Sequence, residues 1–312
     1  MWKHLWKASP ELMGTAALMV VVLAGAIVGL GVDSTVITGA PAWLKPAKFA
    51  ASITMYVVTL AWIFTVIPAW TRTRRVIGWL TAITMVLEMT IIAAQAWRGT
   101  TSHFNVGTVA DAVLFSVMGV AIVVQTFSTV AVAVALWRQR FDEPSLGWAL
   151  RFGVCLTIVG ALTGGLMTRP TAAQLEAARA GARMTIAGAH TVGAPDGGPG
   201  VIGTGWSTEH GDLRVPHFVG LHAVQALIVV ALLLARTSLQ HVARVRVVFI
   251  AAFSYAALYV ILLIQALRGV SLAAPDAATV TQLAAWALVT AIACGVAIVR
   301  DATTQIRHTA AI

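Results

Sequence analysis

Eight long apolar stretches take up most of this 312-residue chain, and they constrain its fold more than any other feature. Each approaches the roughly 20 residues that an α-helix needs to cross the hydrocarbon core of a bilayer. Charged residues make up only 11% of the chain, whereas soluble domains carry about 25%. The sequence therefore predicts an all-α polytopic membrane protein with eight transmembrane helices. The predicted spans are Leu12–Val32, Phe49–Trp70, Val76–Trp97, Val113–Trp137, Trp148–Met167, Phe218–Leu234, Val247–Leu267 and Val280–Val299.

Lysine and arginine are distributed unevenly between the two sides of these spans, and this sets the predicted orientation. Positive charge retained in short loops marks the cytoplasm. The sequence therefore predicts a multi-pass protein of the cell (inner) membrane with both termini cytoplasmic. The +9 net charge is then a topology signal, so we expect the lipid bilayer as a partner and no nucleic acid. The 13 residues on the cytoplasmic side are Lys3, Lys7, Arg72, Arg74, Arg75, Arg138, Arg140, Arg151, Arg236, Arg244, Arg246, Arg300 and Arg307.

Two pairs of short motifs suggest a tandem repeat. Leu44–Phe49 opens the second predicted span, and Leu213–Phe218 opens the sixth. Gln95–Gly99 begins 46 residues after the first of these phenylalanines, and Gln265–Gly269 begins 47 residues after the second. Agreement in both motifs and in their spacing favours a duplication. The alternative is that the ends of membrane helices resemble each other, because an Arg-Gly stop after a span is common.

The repeat predicts two four-helix membrane units, residues 1–147 and 148–312. Four spans return the chain to the same side, so the two units are expected to have the same orientation. The second unit includes the longest connection, residues 168–216, which we call the cap.

The composition of the cap predicts a folded segment on the extracytoplasmic side. Ala172–Met184 is rich in alanine and is typical of a helix that lies at the membrane interface. Eight glycines between Gly188 and Gly211 then allow tight turns. Long ordered loops are often functional, so we expect the cap to cover a site.

Histidine is the main chemical signal, because five of the eight histidines fall on the predicted outer side. They are His103, His190, His210, His217 and His222. A neutral imidazole is a common ligand of iron, copper and zinc. We predict that His103 and His222 bind a haem or a transition metal (Cu, Fe or Zn) beneath the cap, with His190 and His217 as further metal ligands. Interfacial hydrogen bonding is the alternative, because no established metal-binding spacing is present.

Glu88 is the second signal, because a carboxylate near the middle of a span is expensive and should face the bundle interior or a wet cavity. Gln95 lies seven residues later on almost the same helix stripe. We predict Glu88 and Gln95 as catalytic residues in a polar line that leads to His103. The alternative is a protonated Glu88 hydrogen-bonded to a Ser or Thr of a neighbouring helix.

Three functions fit these features. The first is membrane redox chemistry with a bound haem or metal, acting on a quinone, a lipid or a small molecule. The second is proton-coupled transport of a small solute. The third is a metal-dependent membrane hydrolase or lipid-modifying enzyme with Glu88 or Glu209 as general base. The concentration of histidine at one face favours the redox function, because a transporter should also place polar groups near the centre and on both approaches.

Overall fold

The structure is a computed structural model that describes the backbone of residues 2–310 and the side chains of residues 2–303. It is helical, which confirms the all-α part of the predicted fold class. Arg307, one of the basic residues counted above, lies outside the described side chains. The helices are α1 (Trp2–Ala8), α2 (Pro10–Val32), α3 (Leu44–Val66), α4 (Thr71–Trp97), α5 (Val109–Arg138), α6 (Pro144–Met167), α7 (Ala172–Arg179), α8 (Arg214–Leu221), α9 (Ala223–Leu234), α10 (His241–Leu267) and α11 (Ala277–Ala310).

Strands are confined to four two-residue segments in the described chain. They are β1 (Val36–Ile37), β2 (Ala40–Pro41), β3 (Thr191–Val192) and β4 (Gly211–Asp212). β1 pairs with β2 in an antiparallel hairpin that lies between α2 and α3.

Seven described helices are long and apolar enough to cross a membrane: α2, α3, α4, α5, α6, α10 and α11. The segment predicted as the sixth span is a bent pair, α8 and α9, which meet at His222 with an angle of 44°. The pair raises the number of candidate spans to eight if it crosses as one. The chain thus has the architecture of a multi-pass helical membrane protein.

The described helices extend past the predicted apolar spans at several ends. α4 begins at Thr71 rather than at Val76, and its first turn therefore includes Arg72 and Arg74. In the cap, α7 ends at Arg179 instead of continuing to Met184. Gly181 adopts a φ of +91°, which ends the helix because this conformation suits glycine and does not continue an α-helix.

The chain divides into two compact units. Unit 1 comprises Met1–Ala131 and Gly165–Glu209, and unit 2 comprises Val132–Gly164 and His210–Ile312. The duplication into residues 1–147 and 148–312 stays a prediction.

Unit 1 buries apolar side chains between α2, α3, α4 and the first part of α5. Phe64 and Leu12 are fully buried, and Met118 packs against Ile91 and Ile92. The opposite face of α2 exposes valines such as Val21, 68% exposed. An apolar surface of this kind suits a helix that faces lipid.

Unit 2 has its own apolar centre among α6, α9 and α10. Ala149, Leu227 and Val248 are buried there together. Gly160 of α6 lies directly against Gly220 of α8, and a Cβ atom on either residue would collide with the other backbone. Small residues thus let these two helices approach closely.

Candidate functional site

Glu88 lies on the buried face of α4 in unit 1, and it is the most unusual polar group of the described chain. Its side chain is 2% exposed. Neither of its carboxylate oxygens has a hydrogen-bond partner among the described residues. A buried polar group without a partner costs free energy, and such groups often mark a functional site.

His103 approaches this carboxylate from the loop that follows α4. Its Nε2 atom lies 3.4 Å from Oε1 of Glu88. This separation is longer than a normal N–H···O hydrogen bond, and catalytic contacts are often long before a substrate or proton tightens them. The ring is partly exposed, with 22% of its side-chain surface accessible. His103 therefore connects a buried carboxylate to a more open region.

Lys45, in the first turn of α3, completes the group. Its Nζ atom is 2.9 Å from Nδ1 of His103. A lysine ammonium has donors only, so Nδ1 accepts this hydrogen bond and a neutral ring carries its proton on Nε2. That proton then faces Glu88. We call Lys45, His103 and Glu88 the triad.

Aromatic rings and a strained residue hold His103 in place. The ring of Phe49 lies 5.8 Å from the imidazole, and Phe104 packs edge-on at 6.1 Å. Phe104 is buried and has a φ of +64°, which is rare for a bulky side chain. Strain of this kind concentrates at functional sites, where the surrounding structure must maintain it.

Cap residues of unit 1 fix the loop that carries His103. The Ala187 N–H donates to the carbonyl of Phe104, and Asn105 forms a bridge with Ile186. Further along the cap, the carbonyl of Thr204 accepts a hydrogen bond from Lys48 at 2.5 Å. The cap is thus folded against the same part of unit 1 that contains the triad.

A second polar group lies deeper in unit 1, one turn from Glu88 along α4. Thr84 donates to the side-chain oxygen of Gln125 at 3.1 Å, and the Gln125 amide donates to the hydroxyl of Tyr56 at 2.7 Å. The Tyr56 hydroxyl also lies 3.2 Å from that of Thr129. Polar groups therefore reach the middle of α4.

Gln95 is fully buried, but it contacts different groups from Glu88. Its amide donates to Asp111 at 2.9 Å, and its oxygen accepts from Arg98 at 2.5 Å. Arg98 also pairs with Asp111 at 2.7 Å. These contacts connect the end of α4 to the start of α5. The catalytic role assigned to Gln95 from its stripe position stays a prediction.

His190 is held within the cap by hydrogen bonds to Asp196. Its Nδ1 atom lies 2.9 Å from Asp196, which also accepts hydrogen bonds from the backbone N–H groups of His190 and Thr191. Burial works to raise the pKa of Asp196, but the hydrogen bonds and charge of His190, together with the Thr191 N–H, outweigh it and hold the pKa well below its usual range. The His190 ring also packs 4.8 Å from Phe104.

His217 and His222 belong to unit 2. Nδ1 of His217 lies 2.7 Å from the carbonyl oxygen of Gly160, which fits a structural hydrogen bond between α8 and α6. Nδ1 of His222 is buried at the bend and makes no hydrogen bond with the described residues. Its ring packs against Phe218 at 4.2 Å. The pairing of His103 with His222 joins residues of different units and stays a prediction.

Metal ligation needs several donor side chains close together. Among the described side chains, no group of three or more His, Cys, Asp or Glu residues has the proximity to hold a metal ion. Haem with two axial ligands requires only two, so the haem and metal predictions remain proposals.

Four polar residues around Glu88 were not among the predicted site residues: Lys45, Thr84, Gln125 and Tyr56. Lys45 lies at a helix end, where a lysine is typical of an anchor at the membrane interface. A signal was present for Thr84, since Thr81, Thr84, Glu88 and Gln95 fall within an arc of about 60° at 100° per residue. No pattern in the sequence indicated that Tyr56 and Gln125 face this stripe. No protein-family model, curated protein sequence or solved structure matches the chain.

Proposed function

We propose that this protein is a proton-coupled transporter of a small solute, with Glu88 as the group that carries the proton. The observation that carries the proposal is the buried carboxylate of Glu88, which has no hydrogen-bond partner among the described residues and lies 3.4 Å from His103. An ionisable residue inside a membrane segment is a hypothesis for a proton site by default. Here, the neighbouring imidazole of His103 is a group through which a proton can reach Glu88.

The triad can pass a proton to Glu88 in two coupled steps. An N–H bond of the Lys45 ammonium breaks as a new N–H bond forms at Nδ1 of His103. The Nε2–H bond of the same ring breaks as an O–H bond forms at Oε1 of Glu88. Lys45 is left neutral and takes up a proton from hydronium in the solvent. The imidazole is left with its proton on Nδ1, and it returns to the Nε2–H form by losing that proton to water and gaining another at Nε2, so the net result is uptake of one proton by a buried carboxylate.

Protonation of Glu88 removes a negative charge from the interior of the helix bundle. A charged, unpartnered carboxylate is strongly disfavoured in an apolar interior, whereas a neutral carboxylic acid is tolerated and can donate a hydrogen bond. Thr84 lies about 6 Å along α4 from Glu88, at 1.5 Å per residue. Protonation of Glu88 is therefore able to alter the packing around the Thr84, Gln125 and Tyr56 group, which is where we propose that the solute binds.

The Thr84, Gln125 and Tyr56 group also supplies the central polar residues whose apparent absence had favoured redox chemistry over transport. A transporter should place polar groups near the centre of its bundle and on both approaches to it. Tyr56, Thr84, Gln125 and Thr129 supply the central groups, and they are connected by hydrogen bonds. We further propose that the triad faces the extracytoplasmic side, as the distribution of basic residues predicts.

The test uses the full chain in liposomes that contain a pH-sensitive dye, with an inward proton gradient and the membrane potential clamped by potassium and valinomycin. Proton influx is measured alone and with external carboxylic acids, amines, amino acids and sugars. We expect faster influx than in protein-free liposomes with at least one solute class. Glu88→Gln should remove this influx, and Glu88→Asp should retain part of it. Influx at the protein-free rate under every condition would refute the proposal.

A haem or transition-metal site is the second candidate. It is supported by the buried Nδ1 atom of His222, which lies at the helix bend without a hydrogen-bond partner in the described chain. An absorption spectrum and a metal analysis of the purified protein test this candidate. A haem or stoichiometric metal that is lost in His222→Ala would support redox chemistry. Equal cofactor content in wild type, His103→Ala and His222→Ala would rule out these two ligands.

A further inference from the structure

A second carboxylate lies against α4 at the end opposite the triad. Glu11, in the first turn of α2, packs directly on Gly78 of α4. A Cβ atom at position 78 would collide with the carboxylate oxygen Oε1. Only glycine therefore allows the carboxylate to occupy this place. Ser9, which is fully buried, donates a hydrogen bond to the same oxygen at 2.6 Å.

Thr81 lies one turn from Gly78 along α4, between Glu11 and the middle of unit 1. Its side chain is fully buried, and its hydroxyl has no hydrogen-bond partner among the described residues. A threonine inside a helix can donate its hydroxyl proton to the carbonyl four residues earlier, as the buried Thr15 does with the carbonyl of Glu11 at 2.9 Å. The Thr81 hydroxyl makes no such hydrogen bond with the described residues, so it is a buried donor without a protein partner.

The positions along α4 form a regular series. Gly78, Thr81, Thr84 and Glu88 are separated by three, three and four residues, which is about 4.5, 4.5 and 6 Å along the helix axis. The series covers roughly 15 Å, half the thickness of a hydrocarbon core of about 30 Å.

We infer that Glu11, Thr81 and Thr84 form the second half of the proton path, with Glu11 as the exchange group at the end opposite the triad and water bridging at Thr81. The inference rests on the proposed function, because it supplies the exit for the proton that Glu88 takes up. No oxidation is involved: each step breaks an O–H bond on one side of a water or hydroxyl and forms an O–H bond on the other.

A purely structural role for these residues makes the opposite prediction. A buried hydroxyl without a partner destabilises a fold, so Thr81→Val should be neutral or stabilising and should leave activity unchanged. Glu11 near the positive end of α2 should act only through helix stability. Proton influx and thermal unfolding measured on the same variants therefore distinguish the two roles.

The experiment compares Thr81→Val with Thr81→Ser in the liposome assay, with Thr90→Val as the matched control. Thr90 is exposed on the opposite face of α4. We expect Thr81→Val to slow proton influx by about tenfold, the effect of one lost hydrogen bond, while the melting temperature does not fall. Thr81→Ser and Thr90→Val should transport at close to the wild-type rate.

Gly78→Ala provides a second, independent variant, because the added methyl group must displace the Glu11 carboxylate. Gly14→Ala on α2 is its control, since a Cβ atom there meets nothing within 4 Å. Wild-type influx in Thr81→Val and in a folded Gly78→Ala, alongside an inactive Glu88→Gln, would overturn the inference and leave the proposed function standing. Wild-type influx in Glu88→Gln would instead overturn the proposed function.

Discussion

The ends of α4 in unit 1 and α10 in unit 2 form similar turns, but only the α4 turn has a buried carboxylate and an imidazole in contact beside it among the described residues. The side-chain amide of Gln95 donates to the carbonyl of Thr101 at 3.4 Å, and that of Gln265 donates to Ser271 at 2.8 Å, six residues on in each case. The glycine four residues after each glutamine has a φ of +68° or +76°.

The arginines of the two turns also act alike. Arg98 pairs with Asp111 near the start of α5, and Arg268 pairs with Asp276 immediately before α11. Each turn thus connects the end of one long helix to the start of the next.

The residues around these turns differ where the triad is formed. Glu88 lies seven residues before Gln95, whereas Leu258 lies seven residues before Gln265. His103 lies eight residues after Gln95, and Ala273 occupies the same offset in unit 2. Both units thus contain the turn, whereas the carboxylate and the imidazole at these two offsets occur in unit 1 and not in unit 2.

The largest expected effect on proton influx comes from replacing Glu88 and His103 with the residue types that stand at the same offsets in unit 2. The double variant Glu88→Leu/His103→Ala should lose proton influx entirely, because it removes both the acceptor and the relay. Its melting temperature should stay the same or rise, since an unpartnered buried carboxylate is replaced by an apolar group.

Leu258→Met with Ala273→Ser serves as the control for this variant in unit 2. These substitutions are conservative in size and should leave influx unchanged. If the control loses as much influx as the double variant, the conclusion that proton transfer depends on the unit 1 residues alone is wrong.

The next effect is on the free energy of unfolding, which should fall more when Gln95 is replaced than when Gln265 is replaced. Gln95→Ala should cost about 2–3 kcal/mol, because it leaves the buried Asp111 with one hydrogen-bond donor fewer. Gln265→Ala should cost only about 1 kcal/mol, since Gln265 makes one hydrogen bond and its Oε1 atom has none in the described chain. Thermal unfolding in detergent measures both, and equal losses would show that the turns are energetically equivalent.

The smallest effect concerns the cap and its pH dependence. Because the pKa of Asp196 is lowered in the folded protein, its contribution to cap stability is complete above the ordinary value of 3.8 and is lost as the pH falls through the lowered folded value. Hydrogen exchange at the His190 and Thr191 amides, corrected for intrinsic rates, should begin to accelerate as the pH falls below 3.8 and should accelerate further as the pH approaches the lowered folded pKa.

Asp196→Asn should accelerate this exchange by about tenfold at pH 6 and remove its dependence on acid, as expected for a weakened hydrogen-bond acceptor. Protection that is unchanged by the substitution would show that Asp196 does not hold the cap.

The fold class followed from local information, and so did the positions of most helices. A run of apolar residues fixes where a membrane helix lies, because each backbone group must be satisfied within the helix and each side chain must suit lipid or protein. The bend at His222 was not predicted, since the apolar run continues on both sides of it. The stripe of Glu88 and Gln95 was also visible, because helical periodicity is a property of the sequence.

The sequence by itself therefore determined the membrane class, the approximate spans and the buried position of Glu88. Only the tertiary structure decided which groups meet there. Lys45 and His103 are 58 positions apart, and their contact depends on how α3 is rotated against the loop after α4. That rotation is set by the combined packing of α2, α3 and α4 and by the strained turn at Phe104, and no single stretch of sequence encodes it.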